Sequence, residues 1–107
     1  MKVRLGPFEV LLLQLLQASN DPHGGELRDA VEAATGRVCA PGAVYTALDR
    51  LEQRGLVSSL LGEPTPKRGG KRRRHYRIEK AGRLALADAV AALSQLVSGV
   101  TTAKARS

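Results

Sequence analysis

A chain of 107 residues with 43% apolar content fits one small domain. Its aromatic residues are only Phe8, Tyr45 and Tyr76, too few to line a pocket for a flat ligand or to stack a series of RNA bases. The formal net charge of +7 is focused: Lys67 to Arg83 holds nine basic residues and one acid, Glu79, while the remainder holds eight basic and nine acidic ones. A focus of that kind, set on a Gly-Gly pair, points at phosphates rather than at general coating of a polyanion.

The single cysteine, Cys39, excludes an intramolecular disulfide and fits a reducing compartment. It reads as a small half-buried residue, with a redox switch as the alternative, because it falls just before a helix start where a thiolate is favoured. No apolar run approaches the roughly 18–20 residues that cross a bilayer, and the start lacks an apolar stretch followed by a cleavage site. A cytoplasmic protein with no membrane partner is expected.

Pro7 suits a first helical position. Phe8, Leu11, Leu12, Leu15 and Leu16 then follow helical spacing to about Ala18, with Val10 and Leu13 widening the apolar arc. Residues 19–25 (SNDPHGG) have loop composition. Leu27, Ala30, Val31 and Ala34 mark a second helix, with Glu26, Arg28, Asp29 and Glu32 outward and Gly36 as its stop. Pro41-Gly42 opens a third helix, of inner face Val44, Leu48 and Leu51, ending at Gly55.

Leu56–Leu61 reads as a strand, and Gly62–Pro66 cannot continue it. Arg74–Ile78 alternates, Tyr76 and Ile78 facing one way, His75 and Arg77 the other. The two form a hairpin with a long basic tip. Leu86, Ala89, Val90, Leu93, Leu96, Val97 and Val100 keep heptad-like spacing on a last helix from about Ala81 to Ser98, and residues 101–107 are expected to fray as a flexible tail.

The expected fold class is therefore mainly α with a small β-hairpin: a winged helix-turn-helix over 1–79, then a C-terminal dimerisation helix over 80–100. In a helix-turn-helix the second helix reads base edges from its N-terminal part. That makes the helix at about 41–54 the recognition helix, with Pro41, Gly42, Ala43, Tyr45, Thr46, Asp49 and Arg50 as candidate DNA contacts. The helix start also offers free N–H groups and a positive dipole end to a phosphate. The wing, about 62–74, would bring Lys67, Arg68, Gly69, Gly70, Lys71, Arg72, Arg73 and Arg74, with His75 and Arg77 behind them, to the minor groove and phosphates. Arginine suits both through its planar fork and weak hydration. Only Asp88 is charged between Leu84 and Val100, more apolar than a monomer's surface helix. A homodimer on a palindromic operator is expected, its interface formed by the seven heptad residues. If the dimer neutralises about eight phosphates, log K should fall against log salt with a slope near −7.

Residues 42–57 (GAVYTALDRLEQRGLV) resemble the recognition helix and first wing strand of the PadR-like transcriptional regulators. Arg68-Gly69-Gly70 followed by residues 73–78 (RRHYRI) resembles their wing. Leu5-Gly6 with Glu9, Leu12 and Leu15 is similar to their opening helix, residues 24–27 (GGEL) to their second, and Ala81-Gly82-Arg83 with Leu86 to the start of their last. The likeness spans about residues 5–90. It implies a dimeric bacterial repressor in which Tyr45 and the wing glycines touch DNA backbone and minor groove. Two departures stand out. Glu79 occupies the place of the usual Thr before the last helix, so the capping there must differ. The C-terminal part is a single helix without Trp, unlike members that bind aromatic ligands between subunits, which leaves a small-molecule effector open.

His23 and His75 are far apart in sequence, and neither a metal-ligand spacing nor a nucleophile–base arrangement occurs, so neither an enzyme nor a cofactor is expected. The competing functions are an RNA-binding protein and a winged helix that binds only proteins.

Overall fold

A computed structural model of the chain describes residues 3–63 and 72–106. The order is α1 (Pro7–Ala18), α2 (Gly24–Thr35), α3 (Pro41–Gln53), β1 (Val57–Leu61), β2 (Arg74–Ile78) and α4 (Lys80–Arg106), a winged helix-turn-helix with a C-terminal helix.

Local chemistry fixes most boundaries. Pro7 stands at the start of α1, where the Glu9 carboxylate accepts the Gly6 N–H at 2.8 Å. His23 caps α2: its Nδ1 accepts the Glu26 N–H at 3.2 Å, and Glu26 Oε1 accepts the His23 N–H at 3.1 Å. Gly36 ends α2 in the left-handed conformation that glycine tolerates (φ +69°). Gly24 and Gly25 belong to the first turn of α2 rather than to the preceding loop.

The helices and hairpin share one core. Leu12, Leu13 and Leu16 of α1 are fully buried, whereas Phe8, Leu11 and Leu15 pack at its edge. The buried arc is thus centred one position away from the expected stripe, because α1 is covered on several sides by α2, α3, β2 and α4. Leu27 and Val31 close the core from α2, and Val44, Leu48 and Leu51 from α3. β1 and β2 pair antiparallel with Val57 opposite Ile78 and Leu61 opposite Arg74, which turns Tyr76 and Ile78 inward.

The hairpin has a third edge. Tyr76 donates its N–H to Pro22 O at 2.9 Å, and His23 bridges antiparallel to His75. Residues 21–23, expected as plain loop, act as a short strand that ties the turn after α1 to β2.

Three expectations about α4 change. The helix continues to Arg106 rather than ending near Ser98, so residues 101–106 are part of it. Ala103, Lys104 and Ala105 favour a helix, and Thr101 Oγ1 donates to Val97 O at 3.1 Å. Second, Leu86 is only 4% exposed and sits in the core with Ala85, so it is not available to a partner and the core crosses the expected boundary at 79/80. Third, Lys80–Lys104 has a mean hydropathy of 1.5 with 11% of its apolar window buried, long and apolar enough by composition to cross a membrane. Leu, Val and Ala raise that average, while interleaved Gly, Ser and Thr keep the helix from being one continuous run of large apolar residues.

The start of α4 explains the Glu79 departure. Glu79 donates its N–H to Leu56 O at 2.9 Å and accepts the Arg83 N–H on its own carbonyl at 3.0 Å. Its backbone, rather than a side-chain cap, joins the residue before β1 to α4. A β-carbon on the buried Gly82 would overlap the Leu56 carbonyl oxygen and lie 2.9 Å from Ile78 Cγ1, so the helix seats directly on the strand.

Candidate nucleic-acid interface

The start of α3 is open. Ala40 supplies no side-chain cap, Pro41 occupies the first turn and that turn contains no acid, so the positive end of the helix dipole faces outward. Pro41, Gly42, Ala43, Tyr45, Thr46, Asp49 and Arg50 are all exposed while Val44, Leu48 and Leu51 are buried. A β-carbon on Gly42 would meet nothing within 4 Å and its φ is not positive, so neither packing nor backbone geometry demands glycine there.

Tyr45 is 44% exposed, yet its ring is placed. It lies across Gly24 at the start of α2, close enough that a β-carbon on Gly24 would overlap the ring and come within 2.6 Å of Cζ. The glycine makes room for the tyrosine. Sequence periodicity assigns Tyr45 outward correctly but carries no sign of this cross-helix seat.

The turn between α2 and α3 is held from both sides. Glu32 Oε2 accepts the Cys39 N–H at 2.6 Å, Arg28 Nε donates to Cys39 O at 2.7 Å, and Arg28 and Glu32 are themselves 4.0 Å apart. Cys39 is half-buried against the core, with Sγ 3.6 Å from Ala40 O. Both Arg28 and Glu32 read from the sequence as an outward, solvated face; their work on the turn was not legible there.

At the hairpin the expected wing residues divide. Lys67, Arg68, Gly69, Gly70 and Lys71 lie outside the described residues. Arg72, Arg73 and Arg74 are exposed. Arg74 Nη1 donates to Ser59 Oγ at 3.0 Å, and Ser59 Oγ contacts both Glu52 carboxylate oxygens at 2.9 and 2.8 Å, linking the wing root to α3. Arg73 Nη1 comes within 2.8 Å of His23 Nε2. His75 and Arg77 turn instead to the third edge. His75 Nδ1 lies 2.7 Å from Asp21 O, so that nitrogen carries the proton, and its ring meets His23 edge to face at 5.9 Å. Arg77 makes two hydrogen bonds to the Asp21 carboxylate, at 3.0 and 2.8 Å. Those bonds first, and then the opposite charge of the partner, hold the Asp21 carboxyl below its ordinary value and the Arg77 guanidinium above its own. Burial, with the charge of Asp49 behind it, pushes the Tyr76 phenol up.

An open helix start, a clamped turn and an arginine-bearing hairpin stand together on one domain. Residues 12–88 match the family described as "Transcriptional regulator PadR-like family". The chain belongs to that family.

PadR-like proteins are transcriptional regulators, not enzymes. Solved structures agree. A transcriptional regulator from Clostridium thermocellum is 25% identical with TM-score 0.72, over 88% of this chain and 86% of the other. A PadR family regulator from Eggerthella lenta is 26% identical with TM-score 0.68, over 87% and 80%. A PadR-like transcription factor from Bacteroides fragilis, at 22% identity and TM-score 0.75 over 89% and 87%, shares the fold. No curated protein matches the chain. Among the described residues of this PadR-like chain, no group of three or more His, Cys, Asp or Glu is arranged to hold a metal ion.

The last helix presents an apolar face beyond the core. Val90, Leu93, Leu96, Val97 and Val100 are exposed, Leu93 and Leu96 by 60% and 65%, and Ala89 is half-buried. Of the seven residues expected at a dimer interface, Leu86 faces inward and the other six retain accessible surface.

Proposed function

We propose that this PadR-like protein is a homodimeric repressor that binds a palindromic double-stranded DNA site in the cytoplasm. In this reading α3 enters the major groove, and the Arg-rich end of the hairpin, about 62–74, lies on the minor groove and phosphates. The observation that carries it is the outward face of α3. Pro41, Gly42, Ala43, Thr46 and Arg50 are exposed, and the Thr46 and Arg50 side chains make no hydrogen bond or ion pair with another described residue. A glycine that the fold does not require costs a helix about 1 kcal/mol relative to alanine. Close approach of an outside backbone accounts for its presence at position 42. Arg50 and Thr46 carry the base-reading chemistry, and Asp49 repels phosphate and so filters sequences.

Dimerisation is supported by the exposed heptad face of α4 beyond Leu86. Residues 1–79 with the first turns of α4 then form the DNA-binding unit, and the rest of α4 forms the joint. A two-fold arrangement gives two reading helices about one DNA turn apart.

Selection of bound duplexes from a random pool by the full chain tests the proposal. An inverted repeat with that half-site spacing is expected, and transcription in vitro from a promoter carrying it should fall when the protein is added. A pool without consensus, or tighter binding to RNA in competition, refutes sequence-specific DNA binding. Light scattering should give a dimer for the intact chain and a monomer for Leu93→Glu with Leu96→Glu.

A further inference from the structure

Val38 is 90% exposed, more than any of the other exposed large apolar side chains. A lone exposed valine is ordinary on a protein surface; its setting here is not. The backbone on both sides of it is fastened. Before it, Gly36 donates its N–H to Glu32 O at 2.8 Å and Arg37 donates its N–H to Thr35 Oγ1 at 3.3 Å. After it, the Cys39 N–H is held by Glu32 and the Cys39 carbonyl by Arg28. These bonds hold the turn in one shape, and that shape directs Cys39 towards the core and Val38 into solvent.

The side chain itself is stiff, since branching at Cβ restricts χ1. Two methyl groups are thus held in a defined place two residues before Ala40, the cap of α3. None of the described residues covers them. In the major groove the apolar group on offer is the C5 methyl of thymine, the one base-edge feature that an aliphatic side chain can read. Arg37 beside it is exposed too, and a guanidinium there suits a phosphate.

We propose that Val38 is a specificity-determining residue that packs on a thymine methyl at the edge of each half-site. The proposal rests on α3 being the reading helix. It differs from the base contacts expected from α3 because it comes from the turn and needs no hydrogen bond.

The test uses the full chain and the duplex it selects. Each thymine in one half-site is replaced in turn by deoxyuridine, which removes only the methyl group, and affinity is read by fluorescence anisotropy for the native chain and for Val38→Ala. At one thymine position the native chain should lose about fourfold in affinity per half-site, the loss expected for one methyl-sized group returned to water. Val38→Ala should bind the unmodified duplex more weakly by a similar factor and be indifferent to deoxyuridine at that position alone. Because Val38 packs on nothing in the domain, the variant should melt with the native chain. If the native chain tolerates deoxyuridine everywhere, or Val38→Ala leaves the response unchanged, the Val38 assignment is overturned while α3 stands. If no sequence is selected at all, the reading of α3 fails and Val38 with it.

Discussion

Replacing Gly24 with alanine would push a β-carbon into the ring of Tyr45, at 2.6 Å from Cζ. Overpacking of this kind costs about 1–3 kcal/mol. Alanine at a helical position recovers about 0.5–1 kcal/mol over glycine, because the unfolded chain loses less freedom. The net loss for Gly24→Ala is then about 0–2.5 kcal/mol if the ring stays in place, a fall of up to roughly 15 °C in Tm for a domain of this size. If the half-exposed ring swings away instead, stability barely changes and DNA affinity falls, since Tyr45 leaves its place on the reading face. Tyr45→Ala removes the obstacle, so adding Gly24→Ala to it should be neutral or stabilising. Urea unfolding followed by circular dichroism, at one fixed protomer concentration, gives the four corners of the cycle. The interaction energy should be about 1–3 kcal/mol, or the single variant should lose DNA binding with its stability intact. If Gly24→Ala has the same effect on stability in both backgrounds, within about 0.5 kcal/mol, and DNA affinity is also unchanged, the seat of Tyr45 on Gly24 is unimportant.

Gly82→Ala should be the more damaging glycine change, about 3 kcal/mol or more in urea unfolding, because its β-carbon would meet the Leu56 carbonyl, which is backbone and cannot rotate aside. The Asp21–Arg77 pair should show in the pH dependence of the unfolding midpoint. The folded carboxyl lies below its ordinary value of 3.8, so its contribution is present above that pH and is lost as pH falls through 3.8 towards the folded value. The difference between the native chain and Asp21→Asn should therefore hold from neutral pH to about pH 5 and shrink as pH falls below about pH 4; a difference that does not shrink with acid contradicts the ion-pair account. Changing Arg72, Arg73 and Arg74 to alanine should weaken binding to all duplexes alike. With about six guanidinium groups removed from each dimer, the salt slope should flatten by about 5, whereas an unchanged slope in a titration series means these arginines do not touch phosphate.

Periodicity carried the helical part of the fold. The inner faces of α2 and α3 follow from Leu27 and Val31, and from Val44, Leu48 and Leu51, because a helix half-covered by its neighbours must keep its apolar residues on one stripe. The alternation at Arg74–Ile78 likewise gave the side of β2 that is buried. What stayed hidden depends on residues distant in the chain. The pairing of Pro22 and His23 with β2 joins segments about 50 positions apart, and the loop composition of 19–25 gives no period to read. His23, followed three residues later by Glu26, has the spacing of a reciprocal cap, but histidine is not among the usual capping residues. The roles of Arg28, Glu32, Ser59 and Glu52 could not be read for the same reason: charge on an outward helical face looks alike whether it meets water or a neighbouring turn. Leu86 was assigned to the heptad by spacing alone, and spacing cannot show where the first turns of a helix leave the core.

The way α4 is seated makes it a lever. Its purchase on the domain is at the base, through Gly82, Ala85 and Leu86, and some 20 residues, about 30 Å of helix, extend past that point. The root of the hairpin is tied to the turn before α2 through residues 21–23 and to α3 through the Ser59–Glu52 link. In a dimer joined along the free length of α4, all remaining latitude lies in the angle at which the two helices cross. Over 30 Å, a tilt of about 6° moves the base of the helix by about 3 Å, close to the roughly 3.4 Å rise between successive bases. If the proposed dimer forms, a small rotation at that joint would shift the two α3 helices by about one base step, and whatever fixes the angle would select the length of the spacer between half-sites.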